Sequence, residues 1–120
     1  MKRCLVTFAV MAAAANPAFA ERLELEVADA YPIITPEGAP AVEIRFDAAG
    51  TRAFAAFTRE RVGKPAELYV DEERMLAATI LDPILDGQVM ISNVPNAEQA
   101  ILLAMLLRAG EAQVSVADPE

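Results

Sequence analysis

The chain has 120 residues, 55% of them hydrophobic, with 10 Lys/Arg against 18 Asp/Glu, no histidine and one cysteine. That length suits a single small domain. The lack of histidine excludes His-based triads, His-ligated zinc or haem, and the usual general base near neutral pH. One cysteine excludes a disulfide framework or Cys-rich metal site, and a formal charge of −8 argues against non-specific binding to nucleic acid.

Residues 1–20 read as a secretory signal peptide. Lys2 and Arg3 form a positive start, Cys4 to Ala15 an apolar run, and Ala18-Phe19-Ala20 a small-x-small cleavage site, with the cut after Ala20. The run falls short of the roughly 20 apolar residues that a spanning helix needs. The later run Ile101 to Leu107 is shorter still. The expected product is periplasmic, with no membrane span after cleavage. Losing Lys2, Arg3 and Cys4 takes it to a net charge of −10 and leaves it without cysteine.

Leu23, Leu25 and Val27 alternate with Glu24 and Glu26, the period of a half-buried strand. Tyr31 to Pro40 carries three prolines and a glycine and reads as a connection, so residues 21–40 form an N-terminal strand and a Pro-rich link. Val42, Ile44 and Phe46 alternate with Glu43, Arg45 and Asp47 as a second strand. Asp47 can cap the helix that follows, in which Ala53, Phe54, Phe57 and Arg61 recur at three- and four-residue spacing. Gly63 and Pro65 stop it.

Leu68 and Val70 mark a third strand, Asp71-Glu72-Glu73-Arg74 a polar turn, and Met75 to Ile80 a returning strand. Asp82-Pro83 and Asp86-Gly87 are breakers before a short strand at Val89 to Ile91. Asn96 with Gln99 is a capping-box variant opening a second helix. Ala100, Leu103, Ala104 and Leu107 form its apolar stripe, while Ile101, Leu102, Met105 and Leu106 extend it nearly all round; such a helix is buried on more than one side or pairs with a partner. Val114 and Val116 close the chain as a strand, followed by the tail at 118–120. The order β-β-α-β-β-β-α-β implies an α+β fold, with two helices packed on one face of a mixed, mainly antiparallel sheet.

Residues with chemical potential are few. Asp71-Glu72-Glu73 lacks the glycine and alternating oxygens of a calcium loop and suits a hairpin turn. Asp82 and Asp86 form a possible acid–base pair, but their Pro83 and Gly87 neighbours favour turns. Beyond the leader the serines are Ser92 and Ser115, and nothing in the spacing pairs either with Lys64. No catalytic residue, cofactor or metal ligand is expected. Apolar surface is the better candidate: Tyr31, Ile33 and Ile34 in the Pro-rich segment and Met105 on the second helix form a tentative interaction surface, and an exposed sheet edge can accept an extended peptide.

From Ala41 to Gly110 the chain resembles the head subdomain of the first periplasmic domain of the SecD protein-export family. The resemblance is carried by Val42-Glu43-Ile44-Arg45-Phe46-Asp47, Gly50, Phe54, Thr58 and Val62-Gly63-Lys64. It continues through Leu68-Tyr69-Val70-Asp71, Ile84, Asp86-Gly87-Gln88-Val89-Met90-Ile91-Ser92, Glu98, Ala100 and Leu106-Leu107-Arg108-Ala109-Gly110. Residues 41–117 are accordingly the head-like domain. The chain departs from the family at Glu72, where an Asp-Gly turn is usual, and at Asn93, where Ile-Ser-Gly is usual.

The resemblance implies a module that engages polypeptide, with no catalytic residue to carry over. In SecD the head is followed by transmembrane helices. A chain ending at Glu120 is therefore expected to be a stand-alone head without proton coupling. The alternative is a structural or regulatory partner subunit of an envelope complex, with no client-binding role.

Overall fold

The computed structural model describes residues 22–92 and 94–119, so the expected signal peptide at 1–20 lies outside the described residues. Nine elements follow in order: β1 (Arg22–Leu25), β2 (Val27–Ile34), β3 (Pro40–Phe46), α1 (Ala48–Arg59), β4 (Pro65–Val70), β5 (Glu73–Thr79), β6 (Gln88–Ile91), α2 (Ala97–Arg108) and β7 (Val114–Ala117). The fold is α+β with two helices, as the pattern implied. The strands divide between two antiparallel sheets, β1-β7-β4-β5 and β2-β3-β6, and do not form one mixed sheet. Glu26 separates β1 from β2, so nearly one stretch of chain passes from the first sheet to the second.

The extra strand corrects the reading of Tyr31 to Pro40 as a connection. Tyr31 lies opposite Glu43, Pro32 opposite Val42, and Ile33 opposite Ala41. Because β2 is an edge strand, Pro32 need not donate to an outer neighbour, which is the one setting where a sheet accepts proline. The true connection shrinks to Thr35–Ala39. There Thr35 N–H donates to the Ala39 carbonyl (2.9 Å) and Gly38 turns with φ 88°.

Both helices start where the sequence placed them. Asp47 Oδ1 accepts from the Gly50 N–H at 2.7 Å, and Asn96 Oδ1 from the Gln99 N–H at 2.8 Å, each satisfying a donor of the first turn. α1 packs on β1 and β3, α2 on β2 and β3. Phe46 meets Phe54 edge to face, centroids 5.3 Å apart. Ala100, Ala104 and Leu107 bring α2 close to Ala30, Val42, Ile44 and Ile91, all essentially inaccessible, and one core joins both sheets and both helices. The other apolar residues of α2 are not covered on a second side by the described residues: Ile101, Leu102 and Met105 stay about half exposed.

Candidate functional site

Strand alternation gives the β1-β7-β4-β5 sheet an apolar inner face, on which Ala66 lies opposite Ala78 and Leu68 lies between Leu76 and Val116. α1 packs on β1, at the far edge of this sheet, so the β4–β5 end is left to the irregular segment Ile80–Gly87. Between them lies an apolar groove of about 310 Å³, lined among others by Phe54 and Thr58 of α1, Leu68 and Leu76 of the sheet, and Ile80 and Ile84 of the segment.

The segment is held at three points. Ile80 donates to the Lys64 carbonyl (3.0 Å) and accepts from the Gly63 N–H (2.7 Å). The Thr58 hydroxyl accepts from the Ile84 N–H at 2.9 Å while it donates back to the Phe54 carbonyl at 3.0 Å. The Gly87 carbonyl accepts from the Phe46 N–H at 2.9 Å. Between these tethers stand Leu81, 78% exposed, and Leu85, 57% exposed. Two large apolar side chains are therefore exposed at an apolar groove, on a backbone fixed by these hydrogen bonds on either side of them.

The opposite face of the sheet is polar. Tyr69 donates to Glu67 Oε1 and Arg74 binds Glu67 Oε2, both at 2.9 Å, while the Arg22 guanidinium lies 3.9 Å from the Tyr69 ring centroid. Arg74, with help from the Tyr69 hydroxyl, holds the Glu67 carboxyl below its ordinary 4.5, and that hydrogen bond raises the Tyr69 phenol. A carboxyl with a depressed pKa in the fold adds stability above its unfolded value, and loses it as pH falls through the folded one. The urea midpoint of the wild type should exceed that of Glu67→Gln at pH 7, with the gap narrowing as pH falls below about 4.5. A gap unchanged at pH 3 contradicts the assignment.

The sequence-proposed surface residues are not gathered together. Tyr31 and Ile33 are half-buried on the face of β2 that carries Glu43, Arg45 and Met90 across the sheet. Ile34, 62% exposed, points to the opposite face, and Met105, 53% exposed, stands on α2 beside Ile101 and Leu102. The Tyr31 hydroxyl binds Asp29 and holds that carboxyl below its usual range.

The other candidates lie apart as well. Ser115 is buried opposite Tyr69, and Tyr69 is itself five positions along the chain from Lys64. Asp86 accepts from the Gln88 N–H at 3.3 Å as a turn residue, and Asp71 accepts from the Gln113 N–H at 3.0 Å. Among the described residues no group of three or more Asp, Glu, His or Cys could hold a metal ion, and no helix is long and apolar enough to cross a membrane. Sequence reasoning missed the groove. Its two legible signs were Thr58 on the apolar stripe of α1 and the unpartnered Leu81 and Leu85 in a breaker-rich segment.

The chain is thus an α+β domain of two capped helices and two antiparallel sheets, with an apolar groove between α1, the β4–β5 end of one sheet and the Ile80–Gly87 segment. The family model for the SecDF P1 head subdomain matches residues 24–114. The chain belongs to that family. It is 39% identical over 85 residues to the protein translocase subunit SecD of Rhodobacter capsulatus, covering 71% of this chain and 15% of that one. It is 30% identical over 89 residues to the subunit SecDF of Thermus thermophilus, covering 74% and 12% respectively.

Among solved structures, SecDF in its super-membrane-facing form superposes with a TM-score of 0.67 at 30% identity, over 70% of this chain and 11% of that one. A second SecDF structure, described as a membrane component that enhances protein export, gives the same score over 70% of this chain and 38% of that one. The chain thus spans about one seventh of the Rhodobacter subunit's length.

Proposed function

We propose that this chain is a non-catalytic periplasmic module that binds polypeptide in connection with protein export or envelope maturation. The apolar groove flanked by Leu81 and Leu85 carries the reading, because exposed leucines beside an apolar concavity suit unfolded segments, which offer apolar side chains and unpaired backbone together. Membership of the P1 head family supports the link to export, since the relatives are named as translocase subunits. The signal-like residues 1–20 support the periplasmic placement.

The test is fluorescence anisotropy with a reduced, carboxymethylated, permanently unfolded polypeptide. The wild type should bind it saturably. Leu81→Asp combined with Leu85→Asp, both at exposed positions, should weaken binding about tenfold, the effect of losing about 1.4 kcal/mol. Met105→Asp should leave it unchanged. Loss only with Met105→Asp favours the partner-subunit reading through α2. No binding by the wild type rejects the proposal.

A further inference from the structure

β5 is an edge strand, and among the described residues nothing pairs with its outer side. Which of its backbone groups face outward follows from the hydrogen bonds at its end. Both the N–H and the C=O of Ile80 are taken by Lys64 and Gly63, on the β4 side. In an antiparallel ladder the direction alternates, so Ala78 and Leu76 also point toward β4 while Ala77 and Thr79 point away. The register agrees: Thr79 lies opposite Pro65, which has no N–H to offer. Side chains alternate in step. Leu76, Ala78, Thr79 and Ile80 all border the groove, and the outward-directed Ala77 and Thr79 are small and exposed.

Edge strands are normally blunted by charge, proline or a bulge. β5 has these only at its hairpin end, where Glu73 and Arg74 are charged and the register shifts opposite Leu68/Tyr69. Leu76–Thr79 carries none of them. Exposed carboxylates stand at both ends of this stretch, Glu73 before it and Asp82 after it. Arg74 is engaged by Glu67, and Lys64 sits one strand in from the edge.

We propose that the outer edge of β5 and the groove beside it together take one extended peptide segment, which adds a fifth strand to the β1-β7-β4-β5 sheet, drops alternate apolar side chains into the groove and places basic residues at its ends. This rests on the polypeptide-binding reading and deepens it by naming the class of segment and the way it is held. The peptide's backbone bonds to Ala77 and Thr79 are independent of its sequence; the groove selects apolar residues at every second position, and Glu73 and Asp82 select basic flanks. Such a site accepts many unfolded segments and rejects folded chains, whose backbone is already paired.

The probe is an eight-residue peptide with an alternating valine–alanine core and lysine ends. On binding, hydrogen exchange at the Ala77 and Thr79 amides should slow, while the Ala78 amide, already in the ladder, stays as it was. Two N-methylated versions separate strand addition from simple groove filling without altering the protein. Methylation of the amides that face β5 should weaken binding about tenfold or more, as expected from losing two backbone hydrogen bonds, and methylation of the alternate amides should change it little. Replacing the lysine ends with glutamate should also weaken it. Equal affinity for both methylated peptides, with unchanged exchange at Ala77 and Thr79, overturns the strand-addition site even where unfolded polypeptide still binds. Failure to bind any polypeptide overturns this proposal and the functional reading together.

Discussion

Gly87→Ala should cost the fold about 3 kcal/mol, seen as a drop in the urea midpoint with little change in slope. Two effects add at this position. Gly87 has φ 70°, a conformation that an L-residue adopts at a cost of about 1–2 kcal/mol. A Cβ built there runs into the Thr51 side chain, meeting Oγ1 in hard overlap and both carbons at 2.9 Å. Thr51 is not free to yield, since it lies in the first turn of α1 and its hydroxyl is 3.4 Å from the Phe46 carbonyl. Overpacking of this kind adds about 1–3 kcal/mol. Gly38→Ala is the matched control: φ is 88° but nothing lies within 4 Å, so only the backbone cost of about 1 kcal/mol remains. The double variant Gly87→Ala with Thr51→Ala should recover the difference. Equal losses for Gly87→Ala and Gly38→Ala would contradict the close approach of the two segments. The point bears on the groove, because Gly87 is the third tether of the Ile80–Gly87 segment.

Ile44→Ala should be at least as damaging, with a loss of about 3–4 kcal/mol. Ile44 is wholly buried on β3, between Ala30 of β2 and Val89 of β6. It therefore sits where the second sheet, α2 and the shared core meet, and the surrounding backbone is pinned on both sides, leaving the cavity little room to close. Ile101→Ala removes the same atoms from the outer side of α2 and should change stability by no more than about 0.5 kcal/mol. Thermal or urea unfolding of the pair measures whether α2 uses its small-residue face or its large one. A large loss at Ile101 would mean that the outer face is covered.

Local chemistry was readable from the sequence; pairing was not. Asp47 and Asn96 cap their helices because capping depends on a residue and its next three neighbours. The alternation at Val42 to Phe46 likewise specifies β3, and the stripe Ala100, Leu103, Ala104 and Leu107 marks the side of α2 that meets the sheet. What went unread depends on distant residues. Pro32 argues against a strand unless that strand is an edge, and being an edge is settled by which strands lie on either side. The division into two sheets is hidden for the same reason: periodicity gives a strand's faces but not its neighbours.

The tentative surface failed to gather for a simpler reason. Ile33 and Ile34 are adjacent in a strand, so they point to opposite faces. The groove draws its lining from α1, β4, β5, β6, β7 and the segment after β5, and no window of sequence contains it.

The proposed binding of polypeptide at the groove is checked most directly by where binding is felt. Backbone amide shifts should be mapped by NMR on the isotopically labelled chain during titration with the unfolded polypeptide. The perturbed amides are expected to run along β5, through Ile80–Gly87 and onto the Phe54–Thr58 turn of α1. A pattern centred on Ile101, Leu102 and Met105 of α2, or no saturable change at all, would contradict the groove as the site of binding.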